Sequence, residues 1–437
     1  MTHRIQLSSL PPTFRDAVVA TRALSIRWIW IDSLCIVQDD SQDWEREAVL
    51  MGKVYQNAAL TLAGASSKSC IEGLFKTVQT VRITETGRPG DQPIEVFARL
   101  YADKLSTEFP LLQRGWVLQE TLLARRTVYF GRRELLWECR HAATKMSSPD
   151  PFAQHRFLDW TYPLESKFLP GMPITDVPYT WRKIATVSSS LALTFPRDLF
   201  PSLAGIAQIF GTLRSPRYYA GLWEDSLIID LTWKTYSSEN ESYCGRRLVS
   251  WRAPTWSWGS VQDCQIHWET DITEAASHDL DVHATLVRFP GHSWASATVE
   301  DASLTLRGIL VKGSTEDLED PEMVGFFHPD SENLPFLNLI DLVSEPDAVY
   351  FARMVSRRGQ RFVSLVLQCL DERLQVYERI GVISALLPES RGDYGYDSSS
   401  SGDSDKNEGS VAQRRPSILW WYGSRDVRAE ERVFTLV

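Results

Sequence analysis

The chain lacks every short motif that by itself names a reaction. There is no GxGxxG, no GxxxxGK[ST], no GxSxG and no HExxH. The usual sequence warrants for a dinucleotide-binding dehydrogenase, a P-loop NTPase, an α/β-hydrolase and a zincin are therefore missing, although the folds themselves are not excluded. Cysteine is sparse: Cys35, Cys70, Cys139, Cys244, Cys264 and Cys369 are widely scattered, with no CxxC. A disulfide scaffold is short and cysteine-dense, so this usage points to a reducing compartment. Cys139-Arg-His141 offers two potential zinc ligands with no second pair at ligand spacing, and no metal site is expected. No uncharged apolar run has the length to cross a bilayer, and the first residues hold no signal-peptide core, so the expectation is a cytoplasmic chain without a membrane span. Positive charge is also short: 46 Lys+Arg against 56 Asp+Glu give 46 − 56 = −10. Arginines cluster only in pairs, such as Arg125-Arg126 and Arg246-Arg247, which read as solvated faces. No nucleic-acid partner is expected of so acidic a chain.

What is present is an ordinary globular balance, 43% hydrophobic and 23% charged over 437 residues, enough for two or three domains and a sizeable core. Tryptophan is the exception, with 16 residues. Residues 10–24 read as a helix capped by Thr13 after Pro11-Pro12, with Phe14, Ala17, Val18, Thr21 and Leu24 at helical spacing. Trp28-Ile-Trp-Ile31 reads as a short buried strand ending at Asp32. Asp39-Asp40-Ser41 supplies cap oxygens for a helix whose face is Trp44, Ala48, Met51, Tyr55 and Ala58. Ala59–Ala63 reads as a second strand. The first 65 residues thus run helix–strand–helix–strand, an α/β pattern with parallel strands expected. Arg114–Glu120 opens a further helix ending near Leu123, and Thr127–Phe130 with Glu134–Glu138 read as a hairpin. Residues 145–175 are Pro-rich and aperiodic. Tyr179–Leu193 and Leu199–Phe210 look helical. From about residue 270 short alternating runs take over, among them Ala284–Phe289, Leu304–Val311, Phe362–Leu367 and Gly381–Ser384, which predict a sandwich or open barrel. Tyr396–Ser410 is Ser/Asp/Gly-rich and expected to be a disordered loop.

Three constellations could carry chemistry. In Trp30-Ile-Asp-Ser-Leu-Cys-Ile-Val-Gln-Asp-Asp40, Asp32 follows a strand where α/β proteins place ligand contacts, and Cys35 is a nucleophile only with a base at hand. No histidine lies between His3 and His141, and the plainer alternatives are a turn-forming Asp32 and a small core Cys35. In Arg114-Gly-Trp-Val-Leu-Gln-Glu120, Trp116 and Glu120 share a helix face. An aromatic neighbour desolvates a carboxyl and raises its pKa, suiting it to acid/base work or to stabilising a glycosyl cation. Alternatively, Glu120 pairs with Arg114 or Arg125 to fix the helix. Trp251-Arg-Ala-Pro-Thr-Trp-Ser-Trp258 fits an aromatic platform or, more simply, a core segment.

Leu10-Pro-Pro-Thr-Phe-Arg-Asp-Ala17, the Trp30–Asp40 block, Trp44 through Met51 to Tyr55 and Ala58, Glu72-Gly-Leu-Phe75 and Arg114–Glu120 together resemble the fungal heterokaryon incompatibility (HET) domain. Leu193-Thr, Asp198-Leu, Leu203-Ala-Gly205, Tyr219-Ala-Gly-Leu-Trp223 and Ala253–Trp258 resemble the region that follows it in long HET proteins. Ten of the 16 tryptophans lie in or beside these segments or in the stretches that continue them, and most are expected to be core anchors. The A-L-S-Y-x-W-G strand block that usually opens such domains does not precede Leu10, so the resemblance implies an N-terminally incomplete HET domain over residues 1–144. A linker and helical HET-associated region over 145–268 would follow, then a β-rich C-terminal domain over 269–437 with its disordered loop near 396–413. The family implies nonself recognition ending in cell death, through other incompatibility proteins or self-association. HET domains also resemble TIR domains, which are flavodoxin-like with a parallel sheet. Some TIR domains cleave NAD with a glutamate four residues after a tryptophan. By that resemblance Glu120 is the catalytic candidate, Asp32, Cys35 and Trp116 are candidates for binding substrate, and NAD is a substrate rather than a cofactor. A thiol hydrolase built on Cys35 is a third reading.

Overall fold

The computed structural model describes residues 4–77, 81–85, 94–98, 109–139, 142–145, 173–214, 217–236, 245–248, 250–273, 275, 277–293, 302–314, 327–331, 348–358, 361–386 and 431–437. The chain forms two compact units, Met1–Pro216 with Trp294–Ser296, and Arg217–Ser293 with Ala297–Val437. It is mixed α/β, with a β-rich C-terminal region. The expected aperiodic segment at 145–175 lies mostly, and the Tyr396–Ser410 loop wholly, outside the described residues.

In the first unit, helix α1 (Pro12–Ala23) starts on a proline whose missing N–H would have had no helical partner in any case. Thr13 is not its cap. Pro11 holds that position, and the Thr13 N–H instead donates to the Cys70 carbonyl at 3.0 Å. Asp16 on α1 accepts from Leu74 N at 2.8 Å. Gly73 has φ +74°, and a side chain there would run into that carboxylate, so the Glu72-Gly-Leu-Phe75 turn needs glycine.

Trp28–Ile31 is not a buried strand. It is extended but pairs with no strand among the described residues, and Trp28 is 80% exposed. It runs into a single turn, α2 (Asp32–Cys35). Helix α3 (Ser41–Asn57) follows, capped by the Asp40 carboxylate, which accepts from Gln42 N and Asp43 N and so satisfies donors the helix leaves open.

Strand β1 (Thr61–Ala63) and the hairpin β2 (Val81–Glu85)–β3 (Ile94–Ala98) precede helix α4 (Gly115–Leu123). α4 is buried at Gly115, Val117–Gln119 and Thr121–Leu123, as expected of a helix apolar on nearly every side. Strands β4 (Arg126–Phe130), β5 (Leu135–Cys139) and β6 (Ala142–Lys145) complete a sheet of order β1-β4-β5-β6. Only β1–β4 is parallel; β4–β5 and β5–β6 are antiparallel. The β4–β5 hairpin lies where the sequence places it. Helices α5 (Val177–Ser189) and α6 (Ala204–Leu213) close the unit. α3 meets α6 at Gly52 and Gly205, where a Cβ on Gly52 would lie 2.8 Å from the Gly205 Cα.

The second unit begins with short antiparallel pairs. They are β7 (Tyr218–Tyr219) with β8 (Leu222–Trp223), β9 (Lys234–Tyr236) with β12 (Gln265–His267), and β10 (Arg246–Arg247) with β11 (Val261–Gln262), together with the one-turn helices α7 (Leu227–Asp230) and α8 (Thr270–Thr273). Ala220 and Gly221, at φ 49° and 85°, form the tight turn a two-residue hairpin demands. The Gly221 carbonyl accepts from Trp258 Nε1 at 3.2 Å. Trp256 and Trp258 are buried, whereas Trp251 is 44% exposed. The Trp256–Trp258 end of the segment is thus core rather than platform.

The main sheet contains β13 (Leu280–Val282), β14 (Ala284–Arg288), β15 (Leu304–Ser314), β16 (Phe327–Pro329), β17 (Ala348–Arg357), β18 (Arg361–Asp371), β19 (Val376–Leu386) and β20 (Glu431–Leu436). Pairings run β15–β17–β18–β19–β20 and back to β15. The predicted sandwich or open barrel is therefore a closed ring, which leaves those strands no free edge. Beside it lies a buried ion pair. Arg379 donates twice to Asp330, at 3.0 Å each, and also to the Leu231 and Trp233 carbonyls. Its guanidinium lies over the Trp233 ring, 3.5 Å from the centroid. Every hydrogen bond this pair makes replaces one lost to water, as a buried charge requires.

Candidate functional site

The candidate residues of the first unit gather around α4. Its N-terminus is held by a short exchange with the segment after α5: Gly115 N donates to the Ala192 carbonyl, and Ala192 N to the Gln113 carbonyl, both at 2.8 Å. Its middle is held by Gln119, whose side-chain oxygen accepts from Gly205 N at 2.6 Å. These contacts fix the helix that carries Trp116 and Glu120.

Glu120 keeps a little surface, yet protein atoms crowd it. Loss of water is the largest influence on its carboxyl and pushes its pKa up from 4.5 to about 7. The nearby Tyr55 phenol of α3 favours the ionised form. Asp32 is close enough to oppose ionisation by like charge, and Arg114 close enough to favour it. Glu120 forms no ion pair with Arg114 or Arg125. The helix-fixing salt bridge weighed from the sequence is therefore not what the structure holds.

Asp32 is exposed at the start of α2, where its carboxylate accepts from Ser33 N at 2.7 Å. That local bond is the turn-forming role. Tyr55 completes the group. Trp30 packs edge-on against its ring at 5.9 Å and 76°. Asp32, Tyr55, Arg114 and Glu120 are thus brought together from α2, α3 and the two ends of α4.

Trp116 shares the Glu120 face by spacing, and its ring and indole N–H meet other partners. Trp44 meets it edge-to-face at 6.2 Å and 88°, and its indole N–H donates to Asp198 Oδ2 at 3.2 Å. Asp198 is buried, its other oxygen has no partner, and burial raises its pKa. Cys35 is an exposed free thiol at the end of α2. The described histidines all belong to the second unit.

Two of these residues carried no functional signal in the sequence. Tyr55 sits at a core position of the α3 pattern, and its polar tip was the only hint. Asp198 meets Trp116 across 82 positions of chain, which no local pattern reveals. Among the described residues no helix is long and apolar enough to cross a membrane.

Residues 1–120 match the family model described as Heterokaryon incompatibility protein (HET), so the match ends on Glu120. No curated protein and no solved structure matches the chain.

Proposed function

We propose, with residues 1–120 as a HET domain, that the protein is a fungal incompatibility protein in which this domain is the death-signalling module. The match over those residues carries the reading. Nonself recognition through other incompatibility proteins or through self-association is part of it, with the β-rich region as a partner-recognition or regulatory part. Expression of the full chain in a fungal host is expected to arrest growth and kill cells. Unchanged viability on expression and on hyphal fusion with incompatible strains removes this reading.

A specific observation favours a second reading, a TIR-like NAD glycohydrolase. Support for TIR-like, flavodoxin-like folding is the parallel β1–β4 pair; support for chemistry is Glu120. In this reading the bond between nicotinamide and ribose breaks, and nicotinamide leaves with the bonding pair. The ionised Glu120 carboxylate stabilises the ribosyl cation, and water adds and gives its proton to Glu120. Asp32 and Glu120 face one cation, Arg114, so the acidic end suits the positively charged nicotinamide ring and not the pyrophosphate. Because Glu120 acts ionised, cleavage is expected to rise with pH through about 7 and then level off. Equal NAD consumption by wild type and Glu120→Ala at high protein concentration removes the enzyme reading and leaves the signalling one.

A further inference from the structure

Asp198 closes the short turn Pro196–Asp198, which lies beyond the residues that match the HET model. It is 6% exposed, and among the described residues its carboxylate has one donor. Oδ2 accepts from the Trp116 indole N–H at 3.2 Å, while Oδ1 is buried with no hydrogen-bond partner. The neighbouring Arg197 turns its guanidinium over the Phe195 ring, 5.3 Å from the centroid.

A buried carboxyl held by one hydrogen bond is a poor device for stability. Its second oxygen gives up water and gains nothing, a cost that an apolar side chain of similar size does not carry. Such a group calls for another explanation, and its one donor supplies it. Trp116 stands one turn before Glu120 on the same face of α4. Its ring meets Trp44 of α3 edge-to-face, at 6.2 Å and 88°, and both rings keep some surface. The outer side-chain torsion of an aromatic residue has a broad preference, so packing alone sets the plane of the ring loosely. A bond from the indole N–H to a fixed acceptor sets it firmly. The electron-rich face of a tryptophan held in this way attracts a cation.

We propose that Asp198 is a positioning residue of this site: by accepting the indole N–H it fixes the plane of the Trp116 ring, and so makes the Trp44–Trp116 pair an aromatic wall, one turn from Glu120, for a flat, positively charged ring. That this ring is nicotinamide rests on the NAD-cleaving reading of the site; the setting of the indole belongs to the resting protein.

The test compares Asp198→Leu, which removes the acceptor, with Asp198→Asn, which keeps one, in the full chain. The first readout is the Trp116 indole N–H by NMR of nitrogen-labelled protein, with Trp116→Phe identifying the signal. Asp198→Leu is expected to shift that signal and to speed its exchange with water about tenfold, the worth of one hydrogen bond. Asp198→Asn is expected to leave both near the wild-type values. Should Asp198→Leu fail to fold, Asp198→Ala, which removes the acceptor without crowding, takes its place. An unmoved signal in the variant without an acceptor, or an equal change in Asp198→Asn, overturns the proposal. NAD cleavage is measured on the same samples. Loss of the acceptor is expected to raise the KM for NAD about fivefold with kcat nearly unchanged, the mark of lost uniform binding. Cleavage with an unmoved KM overturns the wall. A shifted signal with no cleavage in any sample, wild type included, removes the enzyme reading and leaves the setting of Trp116 by Asp198 as proposed, whereas cleavage with an unmoved signal does the reverse.

Discussion

Replacing Glu120 by glutamine tests the central claim about this site without reference to any substrate. In the folded protein the carboxyl titrates near 7 rather than 4.5, so between those values the folded state holds a proton that the unfolded state has released. The stability linked to this group is fully present below about pH 4.5 and is lost as pH rises through 7. Each pH unit of separation corresponds to about 1.4 kcal/mol, which sets a ceiling of about 3 kcal/mol. Glu120 keeps some surface and the helix can relax around it, so about 1–3 kcal/mol is the realistic span. Glutamine keeps the shape but cannot ionise. The stability difference between Glu120→Gln and wild type should therefore grow by that amount in favour of glutamine from pH 5 to pH 8. Other titrating groups, Asp198 among them, are common to both chains and cancel. Urea unfolding followed by tryptophan fluorescence at both pH values gives the comparison. Because the two units can unfold separately, hydrogen exchange of the α4 amides supplies the local reading. A difference that is the same at both pH values would refute the picture of a desolvated carboxyl.

Further outcomes follow from packing. Gly52→Ala places a methyl group 2.8 Å from the Gly205 backbone and should cost about 1–3 kcal/mol of first-unit stability by thermal unfolding, as overpacking does. Arg379→Met leaves Asp330 buried with part of its compensation gone and should cost about 3–5 kcal/mol in the second unit; replacing both partners by apolar residues should cost less. Trp28→Ser removes a ring that is 80% exposed and should change stability by less than about 0.5 kcal/mol. Exposed Cys35 should react with an alkylating reagent in the native protein, whereas buried Cys264 should react only on unfolding.

Helix α3 was legible because two local signals coincide in it: a carboxylate able to cap at Asp40, and apolar residues stepping by four and three from Trp44 to Ala58. Both act within the segment, so no knowledge of the rest of the fold was needed. The Trp28–Ile31 run failed for the opposite reason. Its composition suits a strand, but a strand exists only against a neighbour, and the sequence of four residues does not say whether one is present. The barrel was half legible. Alternation marked Leu304–Val311 and Phe362–Leu367 as strands, but closure depends on Glu431–Leu436 returning to pair with both Leu304–Ile309 and Val376–Tyr377, a relation between distant segments.

The site divides along the same line. Trp116 and Glu120 were visible as a pair because helical spacing puts them on one face. The indole also meets Trp44 and Asp198, and Glu120 loses water on a helix most of whose residues are buried. Burial has the largest effect on the carboxyl, and groups from other elements, Tyr55 on α3 and Asp32 on α2, modulate it. Tyr55 is hidden in the sequence because its ring satisfies the apolar pattern of its helix. A tyrosine at a core spacing, facing a helix that carries an acidic residue, is therefore ambiguous from sequence. In the structure the ring packs edge-on against Trp30, and the phenol and Glu120 influence each other's ionisation.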